Sequence, residues 1–409
     1  LQSWNGDLHP EKVAITGFVC RIRKKIIVKK VKTLQKVISV LFKDLGTGYI
    51  AYILMIQDGT LLLNRGDVAS ILTIEECIPA VEAAFRLFAE GKAVAPKVLG
   101  FHADGGGFHI KAGMLGLSRS YFVAKINANF PGNSKRFDLP AIQGVIIVMD
   151  AANGKLLAVL DSIEITIIRT GAATAVAAKW LAPADADTAT ICGCGNQGRI
   201  SLKAIMAVRP LTKVYVYDID EAQVNKFSKE FSHTIDVVPV AAGRLIYALQ
   251  QSQVVVTCTP SKEPFIRAEQ IRPGTFIAAV GADSEEKQEL FPELLAANKV
   301  VVDIAEQSAS IGEFHHAIEK GIANIAGIHA EIGSIIAGKK PGRESGDEII
   351  IFDSTGTALQ DVAAAAIVYE GALKKEIGTH LNFAEQKDHV SLKKKVNDIA
   401  MLKQWFPFR

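Results

Sequence analysis

The sequence predicts an α/β protein in which a parallel sheet covered by helices on both faces follows an antiparallel strand meander. Three observations predict it. From Thr188 onward, short wholly apolar runs alternate with helical stretches, as in strands buried on both faces. Between Lys97 and Asp161 the hydrophobic period is two and turn signals recur. A glycine-rich turn directly follows the first of the later apolar strands.

The 409 residues are 49% hydrophobic and 22% charged, which excludes a disordered chain. No apolar run reaches the roughly 18 residues of a membrane span. Charge is unevenly placed. Residues 1–54 carry ten Lys and Arg against three Asp and Glu, residues 386–409 six against two, and the body between them is acidic. Basicity confined to the two ends gives the folded body no nucleic-acid footprint. Met55 opens the first domain-like patterning, so residues 1–54 and 386–409 are read as a basic N-terminal extension and a basic C-terminal tail. The five cysteines include no CxxC pair and sit mostly in apolar runs, which suits reduced thiols in the cytoplasm.

The elements follow in order. Thr73-Ile74-Glu75-Glu76 starts a helix, with Thr73 as cap and Glu76 reaching back to the cap backbone. Cys77, Val81, Ala84, Phe85 and Phe88 give its period, Gly91 ends it, and Pro79 is a defect in its second turn. Asp104-Gly105, Pro131-Gly132-Asn133 and Asn153-Gly154 mark turns of the meander. Five strands then alternate with helices: Ala189–Cys192, Val214–Tyr217, Val254–Thr257, Phe276–Val280 and Val300–Asp303. After about residue 330 come an amphipathic helix, a loop from Gly338 to Gly342, a strand Glu348–Phe352 and an alanine-rich helix.

Gly193-Cys194-Gly195-Asn196-Gln197-Gly198 follows a strand and opens a helix. Gly193 permits the tight turn, Gly195 lets the backbone approach a pyrophosphate, and Gly198 allows close helix packing, so the anion rests on the helix N-terminus with Asn196 and Gln197. Asp218, at the end of the next strand, suits the ribose hydroxyls. No Arg follows it to receive a 2′-phosphate, so the cofactor is read as NAD. Cys192 and Cys194 are read as small residues lining the turn. Thr259, just past the end of the third strand, is counted with the cofactor residues.

A nicotinamide enzyme also needs groups that hold substrate and move protons. Asp283 lies just past the carboxyl end of a core strand, the edge that faces the ligand crevice in such sheets. Its alternative role is to cap a following helix. Lys125 shares a strand face with Val123 and Asn127, and Arg169 is the one charge between Ile165 and Ala178. A lone cation in apolar company implies an anionic partner, from the protein or from a substrate. His315-His316 are adjacent and no HExxH occurs, so they are read as packing residues and no metal site is expected.

Together these stretches resemble the ornithine cyclodeaminase and μ-crystallin family, from residue 55 to about 385. The resemblance rests on Asn129–Asn133, Arg169–Thr174, Gly193–Gly198, Gly281-Ala282-Asp283 with Lys287 and Glu289, and Phe352–Asp361. It implies a Rossmann-type doubly wound parallel sheet (169–329) inserted in an α+β substrate-binding and dimerisation domain (55–168 and 330–385), and a homodimer. It also implies that Arg169 grips a substrate α-carboxylate with Lys97 as a second cation, that Lys125 and Asp283 are the catalytic lysine and acid/base carboxylate, and that Thr170, Ser354 and Gly356 lie near the cofactor. A nearby Lys125 would hold Asp283 in its charged form. The reaction implied is oxidation of an amino acid at the α-carbon to an imine, or its reverse.

One departure bears on substrate. Where the cyclodeaminase pattern has an acidic residue for ornithine's distal ammonium, this chain places His109 and Lys111, which would repel it or hold it poorly. The expectation is therefore an amino-acid dehydrogenase or cyclic-imine reductase. Ornithine cyclodeamination and a non-catalytic, crystallin-like ligand binder are the competing readings.

Overall fold

The computed structural model describes residues 59–117 and 119–383, so the readings of Met55 and of the two basic ends fall outside the described residues. Residues Thr60–Leu381 fold as one unit built on two sheets.

The first sheet holds β1 (Thr60–Leu63), β2 (Ala93–Ala103), β3 (Gly106–Gly116), β4 (Ser120–Asn129), β5 (Ile142–Asp150), β6 (Leu156–Asp161) and a closing strand, Thr379–Leu381. From β2 to β6 it is the expected meander, every neighbour antiparallel. Asp104-Gly105 closes the first hairpin, with Ala103 opposite Gly106. The β3–β4 turn carries no Asn-Gly or Pro signal and escapes the sequence reading. Alternation gives the sheet two unlike faces. Leu115, Tyr121, Val123, Lys125, Ile146 and Val148 point inward and are buried, whereas Phe108, Ile126 and Val145 point outward and are exposed.

The second sheet is all parallel: β7 (Thr188–Cys192), β8 (Lys213–Tyr217), β9 (Asp236–Pro239), β10 (Val254–Thr257), β11 (Phe276–Ala279), β12 (Lys299–Val302), β13 (Ala330–Glu331) and β14 (Ile350–Asp353). Their order is β13-β12-β14-β11-β10-β7-β8-β9, so the chain winds in opposite directions from the β7/β10 boundary. The crevice at such a switch point is where open α/β sheets bind ligands. One strand from beyond residue 330 joins this sheet. β14 lies between β12 and β11, all four of its residues buried, because a strand so apolar is satisfied only in the middle of a helix-covered sheet.

The helices that matter for the site are α1 (Ile74–Ala89), α2 (Ile163–Leu181), α3 (Asn196–Met206), α4 (Ala305–Ile311), α5 (Glu313–Glu319) and α6 (Ala358–Lys375). Thr73 caps α1 by accepting from the Glu76 N–H. Glu76 accepts the Thr73 hydroxyl at 3.1 Å instead of reaching the cap backbone, and the helix runs on through Pro79. α2 crosses the boundary drawn at residue 169 and is buried on nearly every side, packing against α1, α3 and α6. Its small residues permit this. A Cβ on Gly171 would lie 2.7 Å from Ile200 of α3, so α2 and α3 meet at backbone distance. One apolar core runs from β1 and α1 through α2 to the parallel sheet, which fixes the substrate face of the first sheet against the carboxyl edge of the second. Among the described residues no helix is long and apolar enough to cross a membrane.

Candidate active site

Neighbouring parallel strands end in a row of polar loops. In spatial order the row runs from Asp218 after β8, through Gly193 after β7, Thr259 after β10, Asp283 after β11 and Ser354–Gly356 after β14, to Asp303 after β12. At about 4.8 Å per strand, such a row offers an extended ligand one continuous edge.

The glycine turn has the shape a dinucleotide needs. Gly193 adopts φ +107°, and a Cβ there would meet the Cys258 carbonyl oxygen at 2.9 Å. A Cβ on Gly198 would lie 2.0 Å from the Gly193 oxygen, so α3 presses directly on the turn. Gly195, by contrast, faces open space at the N-cap of α3, which leaves room for a phosphate at the positive end of the helix. Asn196 is exposed and Gln197 half-buried with its Oε1 unpaired. Asp218 accepts from the Cys194 N–H at 2.7 Å, which ties the end of β8 to the turn. Burial pushes the Cys194 thiol up to about 12 and Cys192 well above its usual value, so both are inert packing groups. These features fit NAD.

Three buried cations face this edge. Lys111 and Lys125 sit opposite each other on the inward face of β3 and β4, at 6% and 3% exposure. The Lys111 ammonium donates to the carbonyls of Thr355 (3.0 Å) and Gly356 (2.7 Å). The Lys125 ammonium lies 2.8 Å from both oxygens of Asp361, a fully buried residue in the first turn of α6. Arg169, from the middle of α2, brings Nε to 3.2 Å from the same carboxylate and donates from Nη1 to Gln360 Oε1 at 2.7 Å. Gly356 makes that approach possible, since at φ +74° its absent Cβ would lie 2.5 Å from Arg169 Nη1. Burial lowers the pKa of both lysines, that of Lys125 to about 7, with Asp361 opposing the shift. Burial opposes the charge of Asp361 too, but Lys125 and Arg169 outweigh it and hold the carboxyl below its usual range.

Asp283, just past β11, also acts on Lys111. Its side chain is about half exposed and accepts from Lys287 at 2.6 Å. Burial resists its ionisation, yet Lys287 and Lys111 together hold it below the usual carboxylate range. No helix starts behind it, so it caps nothing. The expectation that Lys125 would keep Asp283 charged is corrected: Lys125 is committed to Asp361, and Lys287 with Lys111 takes that part. His109 shares the inward face of β3 with Lys111. Burial lowers its pKa, with Asp283 opposing, which favours a neutral imidazole.

Other expected residues are placed differently. Lys97 is exposed and pairs in register with Ala112, on the sheet face opposite Lys111, because a bulge between Val94 and Lys97 shifts β2; it does not join the cluster. Thr170 spends its hydroxyl on the Thr166 carbonyl one turn back in α2. Thr259 donates its N–H and hydroxyl to Glu289 at 2.6 and 2.7 Å, so its donors are already engaged. Ser354 and Gly356 are held by Asp303, which accepts from the Thr355 hydroxyl at 2.9 Å and the Gly356 N–H at 2.7 Å.

Asp361, Gln360 and Glu289 lie in the stretches that carry the resemblance, and Asp303 ends a predicted strand, but the sequence analysis assigned none of the four a role in the site. Asp361 had a signal: it is the one charge between Ser354 and Tyr369, the mirror of Arg169 in its own stretch. Behind Thr259, Glu289 is fully buried, and its carboxyl is pushed up to about 7 by burial against the Thr259 donors. His315 and His316 do converge with Glu319, their ligand-capable atoms within 4.8 Å. One nitrogen of each ring is bound to a backbone carbonyl, of Gly312 and Lys287 respectively.

Comparison with known proteins places this geometry. A sequence model of the ornithine cyclodeaminase/mu-crystallin family matches residues 59–376. The alanine dehydrogenase of Archaeoglobus fulgidus is 39% identical over 325 residues, 79% of this chain and 98% of that protein. Among solved structures, an archaeal alanine dehydrogenase dimer with bound NAD superposes with a TM-score of 0.76 at 39% identity, over 80% of this chain and 99% of the other. The Thermococcus litoralis Δ1-pyrroline-2-carboxylate reductase, in complex with NADH and L-proline, gives 0.74 at 33% identity, over 79% and 100%.

Proposed function

This chain belongs to the ornithine cyclodeaminase/mu-crystallin family, and we propose that it acts on a small α-amino acid, or the matching imino acid, that carries no distal ammonium group. It is an NAD-dependent oxidoreductase of amino and imino acids. The observation that carries the substrate reading is Lys111. Its buried ammonium feels Arg169, Asp283 and Asp361, with only neutral carbonyls as direct partners. A second cation brought beside it would be repelled at low dielectric, whereas a carboxylate would be drawn in.

NAD, when bound, supplies the hydride acceptor or donor. The residues of the chain do the rest. Arg169, its Nε edge and Nη1 engaged by Asp361 and Gln360, offers its remaining N–H groups to the substrate α-carboxylate, with Lys111 alongside. Holding that group fixes the α-carbon and lowers the barrier through orientation. Asp283, ionised and reachable from solvent, takes the proton released at the amine and returns it in the reverse direction, while Lys287 fixes its rotamer. Lys125 is the second proton carrier, since burial brings it near neutrality.

The protein works as a homodimer that joins two copies of the outward sheet face. Phe101, Phe108, Ile126 and Val145 leave large apolar side chains exposed side by side there, the kind of patch that marks an interaction site. An archaeal relative of known structure is a dimer. The free thiols of Cys77, Cys192, Cys194 and Cys258 support a cytoplasmic setting.

The test is initial-rate spectroscopy of NADH. L-alanine, L-proline and L-ornithine are offered with NAD, and pyruvate with ammonia, or a cyclic imino acid, with NADH. The reading expects net NADH change with at least one neutral-side-chain substrate and none with ornithine. No turnover on any of them supports the ligand-binder alternative.

A further inference from the structure

Two cations assigned to the reaction, Lys125 on β4 and Arg169 on α2, share one counter-ion. The carboxylate of Asp361 receives the Lys125 ammonium at 2.8 Å on both oxygens and Arg169 Nε at 3.2 Å on Oδ1. Asp361 is fully buried in the first turn of α6, where the helix N-terminus favours an anion, and α6 packs on β3, β4 and α2 together. A rigid element therefore lies between the strand that carries the lysine and the helix that carries the arginine. Its neighbour Gln360 takes Arg169 Nη1 at 2.7 Å, and among the described residues Nη2 has no protein partner.

We propose that Asp361 is a positioning residue for the C–N oxidoreduction: it clamps Lys125 and Arg169 at a fixed separation, leaves the far edge of the guanidinium for the substrate carboxylate, and governs when Lys125 gives up its proton. Here one carboxylate meets two different cations from two different elements, and Gln360 completes the hold on the arginine.

The groups facing Lys125 are Asp361 from α6, Arg169 from α2 and Lys111 from β3. Asp283 and Asp303 act on Lys111, and Arg169 and Asp361 act on the buried Cys77 thiol of α1. With Lys111 and Arg169 both disfavouring a charged Lys125, Asp361 is the anion that keeps the ammonium protonated near neutral pH.

The inference rests on the proposed reaction, so its test includes a readout that needs no turnover. Lysine carrying 13C at the ε-carbon reports the Lys125 titration by NMR in the wild type, in Asp361→Asn and in Asp361→Glu, all with full chains. Asp361→Asn is expected to move that titration at least one pH unit toward acid, carry the corresponding limb of the kcat–pH profile with it, and lower kcat at least tenfold. Asp361→Glu, which keeps the charge but lengthens the arm, is expected to leave the titration within half a unit of wild type and still lower kcat at least tenfold. An unshifted Lys125 titration in Asp361→Asn overturns the proposal, as does wild-type kcat in either variant. Should Asp361→Asn not fold, Asp361→Glu decides alone, through its kcat. A wild type that turns over no amino or imino acid overturns the functional reading instead, and the NMR result still stands on its own.

Discussion

Asp283 and Lys287 form a 2.6 Å ion pair one turn apart, in a loop that caps no helix and opens onto the carboxyl edge of the parallel sheet. An acid held ionised at a strand end, half open to solvent, has little structural work to do there. Asp283→Asn keeps the shape of the side chain and removes its proton affinity. It is expected to cut kcat by about 10²–10⁴-fold, the usual share of a general acid/base. NAD affinity, read by quenching of protein fluorescence, should stay within about tenfold, or ~1.4 kcal/mol. Retained turnover would assign the proton to another group.

Asp218 ties the end of β8 to the glycine turn through the Cys194 N–H, and no arginine follows it to receive a 2′-phosphate. Asp218→Ala loses a charged hydrogen-bond acceptor worth about 1.5–3 kcal/mol, so NAD should bind roughly ten- to a hundredfold more weakly in a fluorescence titration. Discrimination against NADP should narrow at the same time. A wild type that already prefers NADP contradicts the role given to Asp218.

Gly356 is where Arg169 passes over the chain. Gly356→Ala would put a methyl 2.5 Å from Nη1 at a φ of +74°, both a clash and a strained backbone. The arginine must shift, so KM for the carboxylate substrate should rise about tenfold or more, ~1.4 kcal/mol, with NAD affinity changed far less. Equal losses in both would point to a collapsed loop.

Glu289 carries a pH signature. Its folded pKa is raised to about 7, above the ~4.3 of an unfolded glutamate, so the folded state binds the extra proton between those values. Stability from this group is complete below the unfolded value and is lost as pH rises through the folded one. Chemical denaturation from pH 5 to 8 should show that decline, and Glu289→Gln, which imitates the protonated acid and still accepts from Thr259, should make it shallower, the raised carboxyls of Asp353 and Glu313 keeping the rest. A wild-type curve flat over this range contradicts the assignment.

On the outward sheet face Val145 is 40% exposed in the single chain. Val145→Lys on a free surface would change stability by no more than about 0.5 kcal/mol. At a dimer interface it should yield a monomer by light scattering, with a lower melting temperature. A dimer unchanged by this substitution would place the interface elsewhere.

Much of this was legible in the residues. The glycine turn and Asp218 could be read because backbone geometry restricts which residues fit, and the meander because alternation is strict. Arg169 stood out because a lone charge in an apolar run needs an anion close by. What could not be read were pairings between distant segments. Nothing local says that Asp361 answers Lys125, 236 residues earlier, or that Lys287 rather than Lys125 serves Asp283. Lys97 misled because a bulge in β2 shifts its register with β3, and alternation alone does not reveal a bulge. The strand was recognised as Glu348–Phe352, against Ile350–Asp353 in the fold, but its place between β11 and β12 depends on sheet order, which a single strand does not encode.

The central claim is that hydride passes between NAD and the α-carbon of an amino or imino acid, with net consumption of the nicotinamide. NADH deuterated at the transferred position, incubated with the wild type and its best keto or imino acid substrate, tests it directly by mass spectrometry of the product. The account predicts one deuterium at the α-carbon for each NADH consumed. Product without deuterium, or ornithine converted to proline with no net change in NADH, would contradict it.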